Sequence, residues 1–574
     1  KEAPESEDIG CQADGAEALL RWVDEADGTG ASYRGLAIRA AGEFGLGVFA
    51  RRDIKQGECV IRLPFSLCIT ADGVASEPDF SARVKAAQAK ASARRGPAKC
   101  QMPSRVRMWV YLIYSRWNPA APHHAYARIC PQRFDDPLWW SGSELERIKG
   151  TNLWDAARAE ERRLARLHAM HVQPLTEASP EAFPPLIFSV DALRWARSLY
   201  LSRAFGGLLA GRPEAGSGLR LGATGNGALL PLIDSCNHQR GAALEWWVGV
   251  EGSSVELRVP KDTPSGISKG QQILINYGTM TNEEWLMNHG FCPSGNEERD
   301  RAELSVAITG PALALQRKGI VLQRLGVPVT LRSLPSRSGT TGRSEMQLRA
   351  GPFVFQWAEL PSSGEGGCAA IPATLPGALA VLYFSGRAST SSSSHEDPGD
   401  CAGSPMRVAC GVRDCMIELL EERLQGLPLV PVVPPPGRGD ATQAGDAAAE
   451  FPRADADGSR LRHADMYVAG QRRLLAEVVR FLRGLKDKEV TEAFSLPLEM
   501  LGGAGDEGEV EDAESDDDDE GGEEEESEEE EAEESEEEDE EDDEDEEDEG
   551  ADDAADQGAE VLGDRQAPGP AVAT

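Results

Sequence analysis

The sequence predicts an α+β protein: a β-rich domain interrupted by helices, then a helical domain and an acidic tail. Short apolar runs rich in β-branched and aromatic residues, separated by Gly and Pro, occupy 33–70 and 229–277, which is typical of strands. Apolar residues at three- and four-residue spacing dominate 75–205 and 300–490, which is typical of helices. Residues 506–556 contain 38 Asp and Glu and neither Lys nor Arg.

The N-terminal elements follow from these patterns. Residues 1–30 are acidic and are predicted to be mostly helical. The apolar side chains expected on the buried face of that helix are Leu19, Leu20, Trp22 and Val23. From 31 to 295 the strands are predicted to form one domain, with the helices of about 75–205 as an insertion. Within the insertion, 106–117 and 153–170 are the clearest helices.

The later elements repeat the two patterns. Strands are expected at 229–233 and 272–277, and a hairpin is expected to join 244–250 to 255–259. Residues 300–490 are predicted to form an all-helical domain. Its clearest helices are predicted at 312–325, 410–424 and 467–485.

The charge of the chain is concentrated in one segment. The net charge is −40, and without residues 506–556 it is −2. The segment 503–574 has too few apolar side chains to offset an ordering entropy of about 1–2 kcal/mol per residue, so it is predicted to be disordered. It either confers solubility or recruits basic partners such as histones or ribosomal proteins. A nucleic-acid groove is not expected, because phosphate binding needs clustered Lys and Arg.

Cysteine usage and hydropathy limit the cellular compartments that are expected for this protein. The eleven cysteines are odd in number and include no C-x-x-C pair, which favours a reducing compartment. Cys410 and Cys415 lie closest together but have no histidines at zinc spacing nearby, so no metal site is expected. The sequence contains no run of about eighteen apolar residues, so no membrane helix is expected. We expect an intracellular, soluble protein of the cytoplasm or nucleus.

Five short polar or glycine-containing strings stand out. They are Gly45-Leu46-Gly47, Arg203-Ala204-Phe205, Asp234-Ser235-Cys236-Asn237-His238, Ile275-Asn276-Tyr277-Gly278 and Asn288-His289-Gly290-Phe291. The first four have an ordinary explanation when each is taken alone: a hairpin turn at 45–47, a surface arginine at 203, a polar turn at 234–238, and a core tyrosine at 277. Their order and spacing are therefore what carries information.

In this order the strings resemble those of SET-domain protein methyltransferases. The resemblance is to the Rubisco large-subunit lysine methyltransferase branch, which also contains actin-histidine methyltransferases. It covers 35–295 closely and 300–490 more loosely. It implies a SET fold with a helical insertion, followed by a helical substrate-binding domain, and it adds the plastid as a third candidate compartment.

The resemblance also implies a cofactor and its site. The cofactor is S-adenosyl-L-methionine, and glycines 45 and 47 let the backbone pass close to it. The residues that the resemblance assigns to cofactor binding are Phe44, Leu46, Arg203, Asp234, Asn237 and His238. Arg203 would pair with the cofactor carboxylate. Tyr277 would be catalytic, because a phenol oxygen at the transfer channel can hold the methyl group by weak C–H···O contacts.

His289 departs from the plant pattern, which has tyrosine at that place. With Phe291 it is assigned to the substrate channel. A lysine must lose a proton before attack, at a cost of about 4.6 kcal/mol at pH 7, whereas a histidine is already mostly neutral. The sequence predicts methylation of a lysine in a non-histone protein. Two alternatives stay open: a protein-histidine methyltransferase, and an inactive SET scaffold that binds basic partners.

Overall fold

A computed structural model describes most of the chain up to residue 496. The described residues are 6–28, 34–42, 45–95, 102–206, 208–209, 219–220, 227–248, 254–263, 265–333, 345–357, 369–384, 405–430, 456–494 and 496. Phe44 and the segment 503–574, which was predicted to be disordered, lie outside them.

Helices and strands alternate along the described chain. The helices are Ser6–Asp27 (α1), Ala71–Ser76 (α2), Pro78–Arg95 (α3), Ser104–Trp117 (α4), His124–Ile129 (α5), Gly142–Leu145 (α6), Asn152–Leu167 (α7), Gln173–Ala178 (α8), Val190–Arg203 (α9), Asn282–His289 (α10), Ala312–Arg324 (α11), Thr374–Leu379 (α12), Pro405–Gly426 (α13), Ala456–Gly484 (α14) and Asp487–Ala493 (α15). The strands are Leu36–Ala40 (β1), Leu46–Ala50 (β2), Cys59–Pro64 (β3), Ile69–Thr70 (β4), Ala204–Phe205 (β5), Leu208–Leu209 (β6), Leu219–Arg220 (β7), Ala228–Leu229 (β8), Asn237–His238 (β9), Glu245–Val248 (β10), Ser254–Arg258 (β11), Leu274–Ile275 (β12), Arg301–Pro311 (β13), Val329–Ser333 (β14), Glu345–Trp357 (β15) and Ala369–Ala370 (β16).

Several small sheets build the first half of the molecule. β1 pairs antiparallel with β2 through a turn at Gly45, whose φ of 72° is in the left-handed region that favours glycine. β3, β11 and β10 form a second sheet, and β4, β8 and β5 form a third. β9 pairs in parallel with β12. The mixture of helices and strands confirms the predicted α+β class.

The last helix of the insertion continues directly into a strand. Helices α2 to α9 lie between β4 and β5 in the chain. The Ser189 hydroxyl accepts the Ala192 N–H at 3.2 Å and so caps the start of α9. At its other end α9 runs directly into β5, which pairs with β8. The end of α9 is therefore held beside the segment that follows β8.

The prediction of an all-helical C-terminal domain was wrong. The helices expected at 312–325, 410–424 and 467–485 are present as α11, α13 and α14, but a sheet of order β13-β15-β14 lies among them. Ala302, Leu304 and Val306 are buried and alternate with half-buried residues along β13. This two-residue period is that of a strand with one face on a core. α11 packs on that face.

Helix α14 packs into two separate hydrophobic clusters. Ala464, Tyr467 and Val468, in its first half, are buried in a cluster with residues of the insertion and of α10. Leu474 and Leu482, in its second half, are buried in the core of the C-terminal domain. The same helix thus contacts α10 with its first half and the core of the C-terminal domain with its second half.

Candidate active site

Three separated chain segments converge at the start of β2. The Ile273 N–H donates to the Val48 carbonyl at 2.7 Å, which lays the segment 272–277 beside β2. The parallel pairing of Leu274 with Asn237 places β9 beside the same segment. The motifs at 45–47, 234–238 and 275–278, which lie far apart in the sequence, are therefore neighbours in space.

A narrow, amide-lined space lies over Gly47. The Asn237 Nδ2 donates to the Leu46 carbonyl at 3.2 Å. A Cβ added at Gly47 would approach Asn237 Nδ2 to 2.8 Å and would also collide with Gln272 Nε2. Close approach of side chains, not backbone conformation, favours glycine here, because its own φ is not positive and a larger residue would push the two amide groups away. Asn237, which the sequence analysis selected, and Gln272, which it did not, therefore both lie against Gly47.

Arg203 and Asp234 contact each other at the edge of this space. The Arg203 Nη1 donates to the Asp234 backbone carbonyl at 2.9 Å and lies 3.7 Å from Asp234 Oδ2. The Asp234 side chain is fully buried and accepts the Tyr126 hydroxyl at 2.5 Å. Burial, the largest single effect, lowers the pKa of Arg203, but the Asp234 carboxylate acts together with Cys130, Tyr126 and Tyr277 to hold that pKa above its usual value. Arg203 therefore stays charged, and Asp234 positions it.

A strained turn sets the position of Asp234. Leu232 is buried and has a φ of 75°, a left-handed conformation that non-glycine residues rarely adopt. Such strain costs on the order of 1–3 kcal/mol and is kept where packing over-determines it. The strained residue immediately precedes the turn Ile233–Ser235.

Two hydrogen bonds fix Tyr277 and His238. The Tyr277 hydroxyl donates to the Cys236 carbonyl at 2.7 Å, and the Tyr277 N–H donates to His238 Nδ1 at 3.1 Å. Because Nδ1 accepts, neutral His238 carries its proton on Nε2. Burial raises the pKa of Tyr277 above its usual value and lowers that of His238. Both side chains are therefore neutral at pH 7.

An aromatic cluster surrounds Trp285. The Trp285 ring centroid lies 4.7 Å from that of His238, 4.9 Å from His289 and 5.1 Å from Phe291. Tyr277 lies 5.3 Å from His289. Trp285 is only 1% exposed. The sequence analysis did not identify it, although its position four residues before His289 puts both on one face of α10.

His289 is uncharged in this cluster. Burial, with a smaller effect from His238, lowers the pKa of His289 to about 3. A group with that pKa binds a proton only in strong acid, so the imidazole is neutral across the physiological range. The predicted channel residues His289 and Phe291 are therefore brought together in a neutral, aromatic environment.

Helix α10, which carries Trp285 and His289, is fixed at both ends. At its start, Thr281 and Glu284 form reciprocal side-chain to backbone bonds. Near its end, Arg197 of α9 donates to the Met287 carbonyl at 3.1 Å. Gly290 then adopts a φ of 79° against the backbone of Asp135. These contacts hold the aromatic cluster in one position.

A half-buried carboxyl group joins α10 to α14. The Tyr467 hydroxyl donates to Glu283 Oε2 at 2.7 Å. Burial, with smaller effects from Glu303 and Glu284, raises the pKa of Glu283 to about 7, while Tyr467 and Arg423 oppose the shift. The folded protein therefore binds this proton more tightly than the unfolded chain does.

We expect the stability of the protein to fall as pH rises from about 5 to 8. The contribution of neutral Glu283 to the free energy of unfolding is complete below its unfolded pKa and is lost as pH passes through about 7, by about 3 kcal/mol. Glu283→Gln keeps a neutral side chain and should flatten this fall in thermal midpoint. Glu161→Gln, at an exposed carboxylate, is the control. An unchanged pH slope in Glu283→Gln would contradict the assignment.

Searches for a metal centre and for a membrane span had negative results over the described ranges. No group of three or more His, Cys, Asp or Glu side chains in those ranges could hold a metal ion. None of the helices in those ranges is long and apolar enough to cross a membrane.

Comparison with known sequences finds methyltransferases. No family model matches the chain. The actin-histidine N-methyltransferase of Danio rerio is 26% identical over 327 residues, which is 56% of this chain and 49% of that protein. The actin-histidine N-methyltransferase of Homo sapiens is 26% identical over 319 residues, 54% and 48% of the two chains. The chain thus spans about half the length of the curated relatives it matches.

Comparison with solved structures identifies the fold. The SET domain of LSMT bound to lysine and AdoHcy superposes with a TM-score of 0.53 at 16% identity, covering 88% of this chain and 98% of that one. Rubisco LSMT bound to AdoMet gives a TM-score of 0.51 at 18% identity, covering 86% and 97%. The chain has the SET fold, which confirms the prediction made from its motifs.

Proposed function

We propose that this SET-fold chain is an S-adenosylmethionine-dependent protein methyltransferase that modifies a side-chain nitrogen. The observation that carries the proposal is that Tyr277, Asn237 and His238 come together beside Gly47 of β2. An uncharged aromatic cluster lies next to them. The names of the curated relatives and the AdoMet-bound SET structures support it.

The residues over Gly47 fit the cofactor. The Gln272 Nε2 is buried and has no hydrogen-bond partner among the described residues, so an acceptor atom of a ligand would satisfy it. Arg203 offers a positive charge that suits the cofactor carboxylate. We assign cofactor binding to Leu46, Asn237 and His238 in addition, with Asp234 acting through Arg203. The predicted contact at Phe44 lies outside the described residues.

When bound, S-adenosylmethionine supplies a methyl group attached to a positively charged sulfur. The chain's own residues orient the incoming nitrogen and exclude water. The Tyr277 hydroxyl donates its hydrogen bond to the Cys236 carbonyl, so the lone pairs of its oxygen remain available for weak C–H···O contacts. His238 and His289 are neutral and place no positive charge in the path of the nucleophile.

A histidine is the target that we favour. The curated relatives are named for histidine methylation, and a histidine side chain can enter an uncharged channel without losing a proton. The Phe291 and Trp285 rings offer faces against which a planar imidazole can stack. His289 and Phe291 then act in substrate binding, and the target's tautomer is set by what its other nitrogen contacts.

Lysine, the target predicted from the sequence, is the second candidate. The observation in its favour is the fold, since LSMT structures of that fold are bound to lysine. A lysine entering this channel must first lose its proton, because the described cluster contains no carboxylate to stabilise the ammonium. An inactive scaffold that binds basic partners would retain the same cofactor site but transfer no methyl group.

The experiment is to incubate the purified full chain with isotopically labelled methyl donor and a cell lysate, and to map the label by mass spectrometry. We expect labelled histidine, at least tenfold above a sample without enzyme. Labelled lysine in its place would establish the second candidate. If no protein in any fraction is labelled although the cofactor binds measurably, both the histidine and the lysine candidate are contradicted. The scaffold function then remains.

A further inference from the structure

One layer of the C-terminal domain is nearly free of acidic residues. Residues 304–358 contain six Arg and one Lys but a single acid, Glu345. In the described parts of this stretch, β14 and β15 pair and α11 packs against them. We call α11, β14 and β15 the basic layer. Its composition contrasts with the chain outside 506–556, whose net charge is close to zero.

The arginines of the basic layer are exposed and have no acidic partner in the described chain. They are Arg317 and Arg324 on α11, Arg332 on β14 and Arg349 on β15. In the sheet, Arg332 lies opposite Gln347 and Arg349 lies opposite Thr330. The two arginines are thus diagonal neighbours on one face, where like charges repel unless an anion lies between them. This face lies on the side of the sheet away from α11, whose Gly319 packs against Leu331 and Leu348, and it suits carboxylates.

The outward side of α11 is apolar as well as basic. Leu313, Arg317, Ile320 and Arg324 follow at steps of four, three and four residues and so form one stripe. Leu313 is 62% exposed and Ile320 is 52% exposed, whereas Leu315 and Leu322 are buried on the opposite side. A partner that fits this stripe needs apolar side chains and carboxylates together.

We propose that the occupant of the basic layer is the chain's own segment 497–556, bound in cis. Leu498, Met500 and Leu501 come first in that segment, and the acidic run from Asp506 to Asp556 follows without a Lys or Arg. The order matches the outward stripe of α11, which offers exposed Leu313 and Ile320 beside exposed Arg317 and Arg324.

The attachment point of the segment supports binding in cis. Phe494 is buried in the same core as Leu315 and Leu322 of α11, and Leu496 packs against that core. Ten further residues reach Asp506, a span of at most about 35 Å when extended. A tether of this length keeps the acidic run at an effective concentration on the order of millimolar. A basic partner protein must then compete with these arginines for the acidic run.

The test uses the full chain with a photo-crosslinking amino acid at position 313. After Glu-C digestion, we expect crosslinks from 313 to peptides of 497–556 at least fivefold above those from position 186. Leu186 is 94% exposed and lies in the helical insertion, so it is the matched position. Raising the salt to about 0.5 M should weaken the signal, because screening shortens the range of charge attraction.

A charge reversal tests the arginines. Arg317→Glu with Arg324→Glu should reduce the crosslinks from 313 at least fivefold, while Arg128→Glu with Arg133→Glu, at exposed arginines of another region, should leave them unchanged. Equal yields from 313 and 186, or an equal loss in both charge-reversed pairs, would overturn the proposal. Crosslinked species of twice the chain's mass would overturn binding in cis, because they join two copies.

Discussion

Replacing Tyr277 with phenylalanine should lower the rate of methyl transfer by about a hundredfold or more. The substitution removes one oxygen, which in the structure is fixed by its bond to the Cys236 carbonyl. The ring keeps its contacts with His238, Trp285 and His289, so the site should stay assembled. Cofactor binding should therefore change by only about threefold, since the loss falls on the transfer step.

The measurement combines single-turnover methyl transfer with calorimetric binding of the cofactor. Tyr111→Phe is the matched control, because the Tyr111 hydroxyl is also buried and bonds to His123 Nδ1 at 2.6 Å, away from the site. That variant should lose about 1–3 kcal/mol of stability, because it leaves the buried His123 Nδ1 without its partner, and it should keep its transfer rate. Full activity in Tyr277→Phe would remove the phenol from the mechanism.

Replacing Arg203 with methionine should have the largest effect on the folded state. It leaves the fully buried Asp234 carboxylate without its cation, which typically costs about 3–5 kcal/mol. If Arg203 also holds the cofactor carboxylate, affinity should fall at least tenfold. Thermal unfolding and cofactor titration measure the two effects separately.

The double variant Arg203→Met with Asp234→Asn separates the two roles. It removes the unpaired charge, so a large part of the lost stability should return, while the Tyr126 hydroxyl can still donate to the amide oxygen of the substituted side chain. Cofactor affinity should stay low, because the guanidinium is still absent. Recovery of affinity together with stability would show that Arg203 only supports Asp234.

Local patterns sufficed for much of the fold. Strands β1 to β3 and helices α4, α11, α13 and α14 have the periodicities by which they were predicted. The sheet of the C-terminal domain was missed although β13 alternates buried and half-buried residues. Such alternation is a weaker signal than a helical stripe when the paired strand lies about forty residues away, as β15 does, because strand pairing depends on partners that the local sequence does not reveal.

The sequence by itself predicted which side chains carry the chemistry, because Arg203, Asn237, His238 and Tyr277 occur in strings whose order resembles that of a known enzyme family. Only the tertiary structure showed their surroundings. It paired Arg203 with Asp234, brought Gln272 to Gly47, and placed Trp285 among the rings of His238 and His289. The physical reason is that charge state and contact depend on burial and on neighbours distant in the chain, which a linear pattern does not specify.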